Sequence, residues 1–236
     1  MQPIKITAHL STNLAVMEDY SPALESILEA VWLDMRGLLR ATPDPNNLYY
    51  PELPFAKSDF FGQDYWMVSA PHYLYLGESV EFVVKRWQGE NEGHPVEWGK
   101  TNKKIQTDGG KYKSLRKPVF TRMVPSIGWY AVGDAQQCEA MLQFVTSVGA
   151  YRAAGYGQVL RWEVEPVVED WHFLKNGGLM RPVPLEALPD GVSHRTMQWA
   201  WRSPFQLSEN RALCAMPVAN VQKPQTVDWF EAAGEL

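Results

Sequence analysis

The chain reads as an α+β protein, and three observations lead there. Apolar and polar residues alternate over Pro3–Leu10, the period of a half-buried strand. Two stretches, opening at Ser21 and at Asp134, repeat apolar residues at helical spacing instead. Around them the pattern returns to strands. The order is strand, helix, strands, insertion, strand, helix, glycine loop, strand, which is the β-α-β-β-α-β plan of ferredoxin-like (RRM-like) domains.

In the first strand Ile4, Ile6 and Ala8 share one face, and Lys5, Thr7 and His9 share the other. His9, on the polar face, is expected to be solvated or hydrogen-bonded. A turn-rich stretch follows, residues 11–20. Ser21 is the expected N-cap of the first helix, with Pro22 at its first position. Leu24, Ile27, Leu28, Val31, Met35 and Leu38 mark its apolar stripe, with Glu25 and Glu29 early and Arg36 and Arg40 late, an ordering that suits the helix dipole. Residues 43–64 read as a long ordered loop. Strands are expected over 65–76 and 79–87, joined by a turn at Gly77-Glu78. In the second of them Val80, Phe82 and Val84 alternate with Glu81, Val83 and Lys85.

From 88 to 117 the periodicity fails, and glycines punctuate a polar, basic stretch with a hairpin-tip signal at Asp108-Gly109-Gly110. This stretch is read as a projecting insertion, either a hairpin or a partly mobile loop. Strand character returns over 119–132. Asp134 then caps the second helix, with Gln137 placed as in a capping box. Cys138, Met141, Leu142, Val145 and Val148 form its buried face, and Gly149 is its expected C-cap. The next strand is 159–164. Residues 1–166 thus make the ferredoxin-like domain. The Pro- and Trp-rich remainder, 167–236, is expected as a β or irregular extension that either wraps this domain or forms a small β subdomain.

The 236 residues can bury a substantial core, and 45% of them are hydrophobic. Ten Trp and ten Tyr exceed what a core needs and suggest contact surface. Two distant cysteines, Cys138 and Cys214, provide neither a disulfide framework nor a metal site. No signal peptide or membrane-spanning run is visible, so a cytoplasmic protein is expected. The net charge of −5 hides an asymmetry. Residues 100–122 hold eight Lys or Arg against Asp108, a local +7, so the rest of the chain carries −12. A basic segment on an acidic body is the electrostatic footprint of a nucleic-acid binder.

The stretch Gly149-Ala-Tyr-Arg-Ala-Ala-Gly-Tyr-Gly-Gln-Val159 joins the second helix to the next strand. Its glycines permit positive φ and close backbone approach, and Arg152, Arg161, Tyr151 and Tyr156 surround them. Such a loop suits a nucleic-acid backbone, with amides and guanidinium on phosphates and rings on bases. The same glycines also read as a helix C-cap followed by a tight turn.

Several stretches resemble a known family. Ile4–Leu10 and Ala23–Val31 are similar to the first strand and helix of the RAMP superfamily of CRISPR-associated RNA-binding proteins, and Tyr151–Val159 is similar to its glycine loop. Asp170-Trp171 with Met180–Pro184, then Trp201–Phe205 and Cys214–Pro217, resemble the type IV subunit family Csf3, a relative of the Cas-five family. The resemblance implies a non-catalytic subunit that caps a CRISPR RNA by its 5′ handle. It implies contact with the backbone subunit and large subunit of the effector, with target DNA met only indirectly and no cofactor. On this reading Arg152 and the amides of Gly155 and Gly157 take phosphate, and Tyr156 is either a stacking platform or a core tyrosine. Lys103, Lys104, Lys111, Lys113, Arg116 and Lys117 track the guide backbone from the insertion 88–117, which occupies the place of the projecting, thumb-like element of relatives.

Some relatives cut the repeat with a histidine base and no metal. His94, beside the insertion, is the weak candidate here. His72 reads as a core residue, and His172 and His194 as surface residues. A protein-interaction module, with the C-terminal tryptophans as contacts and the basic stretch merely solvated, is the third reading.

Overall fold

A computed structural model describes residues 1–17, 20–38, 51–85, 114–218 and 221–222. Its central sheet is antiparallel. β1 (Gln2–Leu10) lies between β8 (Ser126–Gly133) and β9 (Val159–Pro166). Beyond β8, bridges from Val68 to Ala131 and from His72 to Gly128 lay the segment around residues 68–72 along the sheet's far edge. Two helices, α1 (Leu24–Met35) and α2 (Ala135–Leu142), share one core with the sheet. Ile4, Ile6 and Ala8 of β1 are completely buried against it, as the alternation predicts. The opposite face of β1 is polar: His9 meets Glu163 at 2.8 Å and Lys5 meets Glu165 at 3.9 Å.

A second sheet stands beside the first. β2 (Leu14–Ala15) pairs with β7 (Leu115–Met123), and β7 pairs with β6 (Gly77–Lys85). β6 and β7 form a long hairpin in register from Gly77 opposite Met123 to Lys85 opposite Leu115. Gly77 and Glu78 therefore begin a strand, where a turn was expected. Val80, Phe82, Val84 and Phe120 lie on one face of this hairpin and are between 47% and 65% exposed.

The expected strand 65–76 is broken. β3 (Lys57–Phe60) and β4 (Gln63–Trp66) form a small hairpin, and only Tyr73–Leu74 returns as β5. The C-terminal third carries β10 (Leu174–Lys175) and β11 (Gly178–Leu179), then a sheet in which β14 (Arg211–Met216) lies between β12 (Val183–Pro184) and β13 (Arg195–Ala200). β15 (Val221–Gln222) pairs with β5. Arg181, 2% exposed, ties this region to the rest. Its Nη1 donates to the Trp66 and Val68 carbonyls at 2.6 and 3.0 Å, and its Nη2 donates to the Trp201 carbonyl at 2.8 Å.

The helix ends depart from expectation. α1 begins after Ala23, which caps it without a side-chain hydrogen bond, so Ser21 and Pro22 lie outside it. The Pro22 carbonyl instead accepts from Trp129 Nε1 at 3.1 Å, a tertiary contact that bends the entry away from a cap. α1 stops at Met35, which is 63% exposed. Glu25, in the first turn as the sequence placed it, is buried. Burial raises its pKa to about 7 against the opposing pull of Arg181. Burial, with the charge of Glu25 added, raises Glu29 to about 8. Asp134 does cap α2, accepting from the Gln137 amide at 3.0 Å. That helix ends at Leu142, well before Gly149, and Val145 and Val148 enter the core from an irregular connection. Among the described residues no helix is long and apolar enough to cross a membrane.

Candidate nucleic-acid interface

The glycine loop is built by crowding on one side and openness on the other. Tyr151 takes a left-handed φ of 53°, a 3-10 turn spans Arg152–Ala154, and Gly155 and Gly157 have φ of 91° and 62°. A Cβ on Gly157 would lie 2.0 Å from the Val148 carbonyl oxygen, whereas one on Gly155 would meet nothing within 4 Å. The segment before β2 clamps the loop from beneath. Thr12 Oγ1 donates to the Gly155 carbonyl at 2.9 Å and accepts from the Gln158 amide at 2.9 Å.

The amides expected to hold phosphate are spent inside the chain. Gly155 N–H donates to the Arg152 carbonyl at 3.0 Å, and Gly157 N–H donates to the Asn13 carbonyl at 2.8 Å. Both close the turn, so neither faces outward as a donor. Tyr156 is neither a free platform nor a core ring. It is half-buried, and its hydroxyl donates to Glu81 of β6 at 2.7 Å. Asn13 and Thr121 also donate to that carboxylate. The Tyr156 bond, with the other two, lowers the pKa of Glu81, and the same contact raises that of Tyr156.

These contacts dock the loop on the base of the hairpin. Lys117 of β7 sits over the Tyr151 ring with its Nζ 5.1 Å from the centroid. Arg116, on the other face, stacks on Phe82 at 3.9 Å. Both residues were expected inside the 88–117 insertion; they belong to β7, one strand of a hairpin, because cross-strand pairing with Val84 and Val83 continues through them. Lys103, Lys104, Lys111, Lys113 and His94 lie outside the described residues.

On its other side the loop borders a cavity of about 460 Å³. The entry to α1, from Tyr20 to Ala23, forms one wall. Arg152 and Gly149 form another, and Met197–Ala200 of β13, with Phe205 and Arg211, complete it. Tyr20 and Trp199 meet edge to face, with centroids 5.6 Å apart. Arg152 and Arg211 are both exposed. Among the described residues neither guanidinium has a hydrogen-bonding or ion-pair partner. No Asp or Glu among the described residues lines the cavity. Arg211 and Trp199 carry no motif in the sequence. The aromatic excess of the C-terminal third is the one signal that could have pointed to them.

The described histidines are occupied by packing or local bonds. His72 stacks on Tyr130 with ring centroids 4.7 Å apart, and burial, helped by Lys175 and Lys5, lowers its pKa to about 4. His172 is buried, contrary to expectation, and its Nδ1 pairs with Asp170. His194 is exposed and bonds the Val192 carbonyl at 2.9 Å. Among the described residues there is no group of three His, Cys, Asp or Glu side chains that could hold a metal ion.

Comparison with known proteins gives one family. The family model described as CRISPR type IV associated protein Csf3 matches residues 2–217, nearly the whole chain. No curated protein matches the chain.

Proposed function

Because the chain belongs to the Csf3 family of type IV CRISPR associated proteins, we propose that it is a non-catalytic RNA-binding subunit of a type IV ribonucleoprotein. It caps the 5′ handle of the CRISPR RNA and meets the backbone and large subunits. The observation that carries this reading is the convergence of glycine loop and hairpin, with Lys117 over Tyr151 and Arg152 exposed beside them. Cations and rings from two separate stretches come together there, and in sequence the two hairpin strands flank the most basic part of the chain. Single-stranded RNA is held by that pairing of phosphate contacts and stacking.

A ferredoxin-like domain is the matching architectural reading. A sheet with β1 between β8 and β9, two helices on one face, and an edge segment beyond β8 supports it. The reading is non-catalytic, and its one weak catalytic candidate, His94, lies outside the described residues. Changing His94 to Ala should leave any processing of repeat RNA unaltered.

The test is to express the full chain with its CRISPR RNA, purify it, and sequence the RNA that remains bound. A uniform leader followed by varied guide sequence is expected. R152Q and K117Q should each lower retention, and each lost phosphate contact should reduce the log–log salt slope by about 0.7. Random RNA, or retention indifferent to both changes, would remove the reading.

A further inference from the structure

The cavity beside the glycine loop has a composition that its surroundings do not explain. The chain carries 27 acidic residues, yet this concavity shows two guanidiniums and no carboxylate among the described residues. Arginine keeps its charge at any working pH, and its planar fork matches phosphate oxygens. Here neither fork has a hydrogen-bonding or ion-pair partner among the described residues. Rings line the same space: Trp199, held edge-on by Tyr20, and Phe205. About 460 Å³ falls within the range of small-ligand sites.

We propose that this cavity is a single-nucleotide subsite of the RNA interface. It takes one unstacked nucleotide, with the base against Trp199 and Phe205 and the phosphate on Arg152 and Arg211. The inference rests on the RNA-binding reading and adds to it a defined pocket formed jointly by the glycine loop and the C-terminal sheet. Arg152 then serves both places, since the loop that carries it separates the hairpin from the cavity. The bound strand runs from the hairpin base across the loop and turns one base inward there.

The experiment uses the full chain and the RNA recovered with it, resynthesised with a single 4-thiouridine at each leader position in turn. Irradiation should join one leader position, and not its neighbours, to a residue between 197 and 211, identified by mass spectrometry. W199A should weaken binding about tenfold, the scale of one lost base stack. R211Q, an exposed change that leaves folding intact, should lower the salt slope by about 0.7. K117Q is the comparator, because it touches the hairpin and not the cavity. If K117Q weakens binding while R211Q and W199A leave affinity and slope unchanged and no crosslink maps to 197–211, the pocket is refuted and the RNA-binding reading stands. If R211Q and W199A release a neighbouring subunit with RNA affinity unchanged, the cavity is a peptide site and the proposal is overturned. If the wild-type chain binds no RNA, both readings fall together.

Discussion

Replacing Gly157 with Ala should damage the fold far more than the same change at Gly155, two residues away. Both glycines have positive φ, 62° and 91°, so each alanine pays for a left-handed conformation, about 1–2 kcal/mol. Only at Gly157 does the new Cβ meet backbone, 2.0 Å from the Val148 carbonyl oxygen. Relief by a backbone shift is blocked. The Gly157 carbonyl accepts from Val148 N–H at 2.8 Å, and its amide donates to Asn13 at 2.8 Å. Overpacking of this kind adds about 1–3 kcal/mol, for a total of roughly 2–5 kcal/mol. At this chain length a kcal/mol lowers Tm by about 2–4 °C. G157A should therefore lose roughly 5–20 °C and G155A no more than about 8 °C. Thermal unfolding of the RNA-free variants in one buffer, followed by circular dichroism, measures both. Equal losses, or a larger loss for G155A, would refute the steric account of the loop.

Stability should fall as pH rises from about 6.5 to about 8, because below 6.5 His72, whose pKa burial lowers to about 4, works in the opposite direction. In that window the folded chain retains protons on Glu25 and Glu29, whose pKa values are raised to about 7 and about 8, while the unfolded chain releases them. The stabilisation from these two carboxyls is fully present below pH 4.5, and E29Q should flatten the profile measured by urea denaturation at pH 6.5 and pH 8. R181M should cost about 3–5 kcal/mol in the same assay, because it removes three buried hydrogen bonds, to the Trp66, Val68 and Trp201 carbonyls, and the charge that opposes the raised pKa of Glu25. Y156F should move the Glu81 pKa back up toward the ordinary carboxylate range in an NMR titration, since the Tyr156 hydroxyl is the main influence holding it down.

What could be read from the sequence was local, and what could not was tertiary. The strand Gln2–Leu10 and the Asp134 cap were legible because their determinants lie within a few residues. The Ser21-Pro22 cap failed because Trp129, far along the chain, takes the Pro22 carbonyl. Val80, Phe82 and Val84 show the same alternation as Ile4, Ile6 and Ala8, yet the first set is about half exposed and the second is buried. Periodicity marks a face but does not say what covers it. The site divides in the same way. Arg152 stood out because the loop's glycines are neighbours in sequence. Arg211 and Trp199 share its cavity only through the packing of β13 and β14 beside the entry to α1.

The structural and functional readings of the glycine loop are not rivals, because they fall on different residues. Gly149 and Gly157 face inward, where a Cβ would strike Leu14 and Val148. Arg152 and Gly155 face solvent. The amides of Gly155 and Gly157 already close the turn, so the loop does not offer those two donors as an anion nest. Charge for a bound strand must then come from side chains, Arg152 and Lys117 first. Binding built on side-chain cations is sequence-tolerant and strongly salt-dependent. On the proposed RNA-binding reading, discrimination of a handle would come from places where bases are enclosed, and among the described residues the cavity beside Arg152 combines rings with guanidiniums that have no partner among them. A strand gripped by charge along the hairpin and read by shape at one pocket would be held at a fixed position on the protein, as a cap at the 5′ end of a guide requires.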